Sequence, residues 1–285
     1  MATEQRTPAK RGIGMKTILA FTLCFLYLLP FVLVLVNSLK RKVSIVKFPL
    51  QLVDDNGLQF VNYVNAVEKM EFFKSFANSI IITVFSVLLL IVFSSMAAYF
   101  LARHSSWKAS KLTFSLMLSS MAVPFQVVMI PLITIYGGSL HILNSRTTLI
   151  LMNFGFGVAM CMFMCHGFIK SSVPVTVEEA ATIDGCSPHG VFFRIVFPLL
   201  KPILSTIVIL ESMGFWNDFL LPSLVLGQRR LFTLPLAIRT FYGTFSNDYG
   251  NIMAGLVLSM LPIIILYILL QRYIVSGVVA GAVKY

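Results

Sequence analysis

Residues 75–102 read SFANSIIITVFSVLLLIVFSSMAAYFLA, and no charged side chain interrupts this run between Lys74 and Arg103. A helix needs about 20 apolar residues to cross the hydrocarbon core of a bilayer, so the run is long enough to span it. Because hydrocarbon offers no hydrogen-bond partners, a spanning segment must satisfy its own backbone groups, as a helix does. The run therefore predicts a membrane-spanning helix.

The composition of the whole chain extends this prediction. Of the 285 residues, 58% are hydrophobic and only 12% are charged, whereas soluble domains carry about 25% charged residues. The net charge of +11 would suggest a nucleic acid partner in a soluble protein. Here the basic residues lie mostly at the ends of apolar runs, where they anchor spans at the lipid surface. The composition therefore predicts contact with membrane lipid and no nucleic acid partner.

Five further apolar runs also predict spans, one of them interrupted by Glu211 and Asp218. The six predicted spans cover residues 17–39, 76–100, 112–136, 147–169, 202–224 and 251–272. Several of these runs contain proline, which a spanning helix tolerates when its neighbours satisfy the freed carbonyls. The sequence thus predicts an all-α membrane protein, a bundle of six transmembrane helices with kinks.

The charge pattern favours a cytoplasmic location for both termini. With the amino terminus inside, 12 of the 22 basic residues lie on the inner side, which is close to balance. The turn over 103–111 is short and basic, however, and the positive-inside rule applies best to short loops. We therefore expect cytoplasmic segments over 1–16 and 276–285 on either side of a transmembrane domain over 17–275. No small-residue cleavage site precedes Lys40, so the first span is expected to be retained.

A nucleotide site is not predicted. The stretch GIGMKT at 12–17 resembles a phosphate-binding loop only superficially, because Met15 separates Gly14 from Lys16 and an apolar helix follows. The phosphate loop requires glycine directly before the lysine, after a strand. A basic anchor of the first span explains these residues better.

The cysteines and histidines do not predict a metal site or an enzyme. Cys161 and Cys165 share one face of a predicted helix and His166 follows, but a metal site needs three or four converging ligands. Small apolar packing is the expected role of the cysteines. No Ser-His-Asp arrangement or paired carboxylates stand out, so a membrane-embedded enzyme has little support.

Polar residues in the fifth predicted span have two explanations that the sequence leaves open. A carboxylate near the bilayer centre, such as Glu211, is costly and must face the bundle interior, a partner or water. It could line a polar pathway, or it could fix two helices by a hydrogen bond. Glu211, Trp216 and Asn217 are the candidate residues for a translocation path, although solvation at the membrane interface is the more ordinary role of Asn217 and Asp218.

Between the fourth and fifth spans, residues 174–198 form a polar passage with strong helix signals. Thr176 and Glu179 have the spacing of a capping box, which predicts a helix start. Gly185 is a natural helix stop, and Ser187-Pro188 has the pattern of a cap and first residue of a second helix. A well-capped solvated loop and a docking surface are both compatible with this chemistry.

The passage resembles the EAA signature of binding-protein-dependent ABC importer permeases. The matching residues, spaced as in that signature, are Glu179-Ala180-Ala181, Gly185, Ile195 and Phe197-Pro198. Phe197 departs from the usual leucine but keeps an apolar contact. Further stretches are similar to carbohydrate permeases, closest to the smaller subunit of the maltose and oligosaccharide group: WNDFLLP at 216–222, TLPLAI at 233–238 and the GVVAGAVKY ending.

This resemblance implies a permease subunit of an ATP-driven sugar or oligosaccharide importer in the bacterial cytoplasmic membrane. The passage would be a cytoplasmic coupling helix that docks on an ATPase subunit. Its implied coupling residues are Glu178, Glu179, Ala180, Ala181, Asp184, Gly185, Ile195 and Pro198. The implied partners are a second permease subunit, two ATPase subunits that bind ATP and magnesium, and an extracytoplasmic solute-binding protein; this chain itself would need no cofactor.

Two alternatives remain open at this stage. A permease for a non-sugar solute would share the EAA pattern but less of the remaining sequence. A secondary transporter would also be a helical bundle with buried acids, but it usually has two related halves, and no internal repeat is evident.

Overall fold

The computed structural model describes residues 14–54, 57–243 and 247–282, with side chains described as far as residue 268. Within these ranges the regular structure is helical, apart from one isolated β-bridge between Tyr242 and Asn247. The predicted amino-terminal segment over 1–16 lies almost entirely outside the described residues, as do the last residues of the predicted tail.

Thirteen α-helical segments follow one another in the described part of the chain, and π-helical stretches interrupt α4, end α6 and form the middle of α9. They are α1 (Met15–Ser38), α2 (Lys42–Lys47), α3 (Val61–Lys69), α4 (Phe72–Arg103), α5 (Lys108–Ser120), α6 (Phe125–Ser139), α7 (Arg146–Ser172), α8 (Val175–Ile183), α9 (Pro188–Leu199), α10 (Lys201–Asn217), α11 (Leu220–Val225), α12 (Leu234–Ala237) and α13 (Tyr249–Ala282).

Four of these helices are long and apolar enough to cross a membrane: α1, α4, α7 and the Tyr249–Ile268 part of α13. Two helix pairs meet the same criterion but are bent, by 93° between α5 and α6 and by 73° between α9 and α10. Counting each bent pair as one span gives six in the described residues, which agrees with the predicted number. The all-α membrane fold is thereby confirmed.

The bend between α5 and α6 and the break after α10 have local causes in the sequence. Pro124 precedes α6 in an extended conformation with ψ of 139°, and a residue before proline avoids the helical region, so the chain turns at 121–124. The span predicted over 202–224 also breaks, because Asp218 is extended and its Oδ1 accepts a hydrogen bond from the Leu220 amide at 2.9 Å. Helix α11 is therefore a separate short helix.

Three buried apolar clusters hold the bundle together. The largest lies where the carboxyl-terminal halves of α4 and α7 meet α9 and the start of α10. A second joins α3, α12 and α13 around Trp216, and a third lies where α11 and α12 pack on α4 and α7. Helix α1 packs mainly against α13 and leaves most of its surface exposed, as expected of a helix that faces lipid.

The segment after α1 is fixed by a buried lysine. Lys40 donates hydrogen bonds from Nζ to Asn37 Oδ1 at 3.0 Å and to the carbonyl of Phe48 at 3.2 Å, and only 1% of its surface is exposed. Burial lowers the pKa of its ammonium group, while the charge of Asp54 opposes that shift. The lysine therefore closes the loop that leads from α1 towards α3.

Candidate functional site

The polar passage between α7 and α10 folds as two helices joined by a glycine turn. Gly185 has φ of +82°, the left-handed region that favours glycine. Its amide donates to the Thr182 carbonyl at 3.0 Å, and the Cys186 amide donates to the Ala181 carbonyl at 2.9 Å. This pair of hydrogen bonds is a Schellman motif, so the predicted stop of α8 at Gly185 is confirmed.

The predicted capping box at the start of α8 is wrong. The helix begins at Val175 with Pro174 in the N-cap position, and no side chain caps it. Thr176 therefore lies inside the first turn, where its hydroxyl cannot act as the cap. Proline fixes its own φ near −65°, and at Pro174 ψ of 136° places the chain in the extended entry conformation earlier than the capping pattern predicts.

The second helix start follows the prediction. Ser187 is the N-cap of α9, its hydroxyl accepts a hydrogen bond from the Gly190 amide at 3.2 Å, and Pro188 lies in the first turn. Phe197 packs its ring 5.9 Å from that of Phe192, so the residue that departs from the usual leucine does keep an apolar contact. Both ends of the turn are thus held by local hydrogen bonds.

Helix α8 presents a mixed polar and apolar surface that its own chain does not cover. Glu179 and Ala180 are exposed, and Ile183 at the end of the helix is 86% exposed. A groove of about 720 Å³ lies beside the helix, and Glu179 and Ile183 are among its lining residues. Ile183 was not among the predicted site residues, although its position before the glycine turn places it at the tip of the passage.

Glu178 also borders this groove but is buried against α4. Its carboxylate pairs with the guanidinium of Arg103 and accepts a hydrogen bond from the Tyr99 hydroxyl at 2.9 Å. The resemblance grouped Glu178 with the residues that contact a partner, but here its own chain covers it. Arg103 and Tyr99 were missed in the sequence; the only signal was an arginine directly after the charge-free run of the second span.

The other predicted coupling residues divide between surface and interior. Asp184 and Pro198 are exposed. Ala181 is half-buried and packs against the largest apolar cluster, and Ile195 is half-buried within α9. The structure therefore brings exposed Glu179, Ala180 and Asp184 together along α8 and its turn, while Ile195 and Pro198 belong to the segment that leads into α10.

Glu211 lies within the bundle and contacts α7. The Cys161 thiol donates a hydrogen bond to Glu211 Oε1 at 3.4 Å. Gly157, one turn earlier on α7, leaves room for Leu90, since a Cβ there would lie 2.9 Å from Leu90 Cδ1. Cys161 and Cys165 are fully buried in the largest cluster, as predicted for small apolar residues. Among the described residues, no three His, Cys, Asp or Glu side chains converge as metal ligands would.

Trp216 is buried inside the bundle. Only 5% of its surface is exposed, its Nε1 donates to the Ser259 carbonyl at 3.2 Å, and its ring packs edge-on against Phe76. The sequence alone could not predict the burial of Trp216, because the apolar pattern of a helix is the same whether an aromatic side chain packs inside the bundle or lines a channel. Asn217 is exposed, and its Nδ2 donates to the Met213 carbonyl within its own helix at 2.9 Å.

A cavity of about 590 Å³ opens between the α5–α6 bend, α7 and the end of α10. Its polar lining residues include Gln126, Asn153 and Asp218. Three aromatic rings also border it: Phe125, Phe156 and Phe215. Glu211, Trp216 and Asn217 do not belong to this lining.

An ionic cluster lies at the opposite end of α4 from Arg103. Glu71, which precedes α4, is hydrogen-bonded to Lys74 and lies 3.8 Å from Arg229 Nε. The hydrogen bond from Lys74 lowers the pKa of the Glu71 carboxyl. Lys69 pairs with Asp248 at 3.4 Å, which ties α3 to the residue before α13.

A family model and two related proteins assign the chain to the same family. Residues 90–279 match the model of the binding-protein-dependent transport system inner membrane component. The chain is 40% identical over 268 residues to the "Probable starch degradation products transport system permease protein AmyC" of Thermoanaerobacterium thermosulfurigenes, covering 94% of this chain and 96% of that protein. It is 35% identical over 279 residues to the melibiose/raffinose/stachyose import permease protein MelC of Bacillus subtilis, covering 98% and 99%.

The fold also matches a solved structure. A chain from the crystal structure of a bacterial ABC transporter involved in the import of the acidic polysaccharide alginate superimposes with a TM-score of 0.74. The match covers 95% of this chain and 99% of the other at 22% sequence identity, a level at which it supports the fold alone.

Proposed function

The chain belongs to the family of binding-protein-dependent transport system inner membrane components, and from that premise we propose that it is a permease subunit of an ATP-driven importer of sugars or oligosaccharides. It forms part of the path through the bacterial cytoplasmic membrane and holds no ATPase of its own. The observation that carries this proposal is α8, a helix with an exposed apolar tip and a fixed glycine turn, in a chain otherwise suited to lipid.

The docking of an ATPase subunit explains the surface of α8. An isolated helix of nine residues is marginal in water, so the two turn motifs and the packing of Ala181 are needed to hold it. Exposed Ile183 beside exposed Glu179 is the mixture of apolar and charged groups found at protein interfaces. ATP binding would close the ATPase pair, and the docked helix would carry that movement into the spans.

The solute class rests on the relatives and on the chemistry of one cavity. AmyC and MelC carry names that refer to starch degradation products and to melibiose, raffinose and stachyose. The cavity beside α10 combines amide and carboxylate groups with phenylalanine rings. Sugars need both, because their hydroxyls form hydrogen bonds and their ring faces pack on apolar surfaces. We therefore propose that the sugar path runs along Gln126, Asp218 and Phe215, and not along Trp216.

The complete transporter contains a second permease subunit, two ATPase subunits and an extracytoplasmic binding protein. In this arrangement the turn between α4 and α5 and the passage around α8 face the cytoplasm. Both carry basic residues at their membrane ends, among them Arg103, Lys108 and Lys170, in keeping with the positive-inside rule. The termini then lie in the cytoplasm as well.

Reconstitution tests this function directly. The complex would be placed in proteoliposomes with ATP inside, the cognate binding protein outside and a radiolabelled oligosaccharide. We expect uptake that requires both ATP and the binding protein. A secondary transporter would instead move solute along an ion gradient without ATP, and a permease for another solute class would not be stimulated by any sugar-loaded binding protein.

A further inference from the structure

Two adjacent glutamates on α8 have opposite environments. The side chain of Glu178 is 9% exposed and faces α4, whereas Glu179 is exposed at the surface. Adjacent residues on a helix point about 100° apart, so Glu178 can pair with α4 while Glu179 points outward. The Glu178 carboxylate is paired within its own chain, at the edge of the groove that Glu179 also lines.

The contact of Glu178 with Arg103 is extensive. Arg103 Nε lies 3.0 Å from Glu178 Oε1 and 3.1 Å from Oε2, and its Nη2 donates to both Oε1 and the carbonyl of Val173, the latter at 2.9 Å. The guanidinium thus holds the acidic side chain of α8 and the backbone that precedes it. In the part of the chain that the structure describes, this is the only ion pair made by a residue of α8.

Tyr99 extends the contact to the next segment. Its hydroxyl donates to Glu178 Oε2, and its ring lies 5.4 Å from the ring of Phe192 in α9. Arg103 and Tyr99 are one turn apart on α4, with the guanidinium carbon 5.9 Å from the Tyr99 ring centre. One carboxylate therefore lies where α4, α8 and α9 meet.

We propose that the Glu178–Arg103–Tyr99 cluster is a positioning device that makes α8 move as one body with the end of α4 and the start of α9. The inference rests on the proposed function, because it concerns how movement of a docked α8 reaches the spans. A buried ion pair with two or more hydrogen bonds fixes orientation as well as distance. Without it, α8 would keep its contact surface but could shift against α4 when the ATPase moves.

The test separates docking from transmission. Glu178→Gln retains shape but removes the charge that pairs with Arg103, and Glu179→Gln is the matched control one residue away. The complex would be purified with each variant, and ATPase recovery, ATP hydrolysis and sugar uptake per assembled complex would be measured. For Glu178→Gln we expect normal ATPase recovery and a drop of about fivefold or more in sugar transported per ATP, the lower range of coupling between sites. For Glu179→Gln we expect weaker ATPase recovery with an unchanged ratio in the complexes that remain.

Two further variants keep the test decisive. If Glu178→Gln yields no complex, Tyr99→Phe takes its place, since it removes one hydrogen bond and leaves the charges paired; it should lower the same ratio. The exchanged pair Arg103→Glu with Glu178→Arg should recover part of it. If the assembled Glu178→Gln complex transported as much sugar per ATP as the wild type, the proposed positioning role would be refuted and the contact would be purely structural. The same holds for Tyr99→Phe where that variant is used. Absence of ATP-dependent uptake by the wild type would instead refute the proposed function.

Discussion

The thiol of Cys161 on α7 donates a hydrogen bond to the carboxylate of Glu211 on α10, across 3.4 Å and within the apolar bundle. This contact joins two helices that the sequence places in different spans. An acid in such surroundings is costly unless it is paired or reaches a polar cavity. We therefore expect Glu211 to help hold α7 and α10 in their positions relative to each other.

Replacing Glu211 should affect transport more than assembly. We expect Glu211→Ala to reduce sugar uptake while the yield of the complete complex stays close to that of the wild type, because the surrounding apolar cluster still packs. Cys161→Ala removes only the thiol partner and serves as the matched control, with a smaller effect. A parallel fall in yield and uptake would identify Glu211 as a packing residue, and wild-type uptake would contradict both roles.

Trp216 should behave as a structural residue. Trp216→Phe removes the donor to the Ser259 carbonyl and should lower the free energy of unfolding by about 1 kcal/mol, the net worth of one hydrogen bond. Loss of the whole ring in Trp216→Ala should cost about 3–5 kcal/mol. Thermal unfolding of the purified complex shows which of the two variants is less stable, and Trp216→Ala should be. If Trp216→Phe instead raised the sugar concentration for half-maximal uptake at unchanged stability, the indole would belong to the path.

A substitution at Gly185 should act through its backbone conformation and not through steric contact with neighbouring atoms. A Cβ at this position would meet no neighbouring atom within 4 Å, but φ of +82° strains any L side chain. We expect Gly185→Val to displace α8 and reduce recovery of the ATPase, at a local cost of about 1–2 kcal/mol. Gly185→Asn is the control, since asparagine visits the left-handed region more readily. Equal losses in both variants would indicate that the surface itself, and not φ, is critical.

Orientation can be tested with single cysteines in a chain that lacks its four native ones. A cysteine at Ser187 should be protected from an impermeant reagent in intact cells, because the proposed topology places the passage in the cytoplasm. A cysteine at Gln228, exposed in the loop after α11, should react. The reverse pattern would invert the proposed topology.

Local chemistry predicted some features of the site well. Gly185 and Ser187-Pro188 act through hydrogen bonds to residues a few positions away, so their roles follow from the sequence alone. The same approach failed at Thr176, where Pro174 took the N-cap position earlier than the capping pattern predicts.

Long-range features could not be predicted in this way. The burial of Glu178 depends on Arg103, which lies 75 positions away and on another helix. Trp216 owes its burial to Ser259 and Phe76, which no local pattern connects. The bend at Pro124 was foreseeable as a kink, but its angle of 93° depends on how the neighbouring helices pack.

Ile183 is the best position at which to test whether α8 docks on an ATPase subunit, because it is 86% exposed at the tip of the helix. A photoreactive crosslinker attached to a cysteine at Ile183 would be activated in the assembled transporter, with and without ATP. Phe73, 75% exposed at the far end of α4, provides the control position. We expect a crosslink to the ATPase subunit from Ile183 and none from Phe73. Absence of a crosslink from Ile183 in every nucleotide state, with sugar-stimulated ATP hydrolysis intact, would show that α8 does not dock on the ATPase.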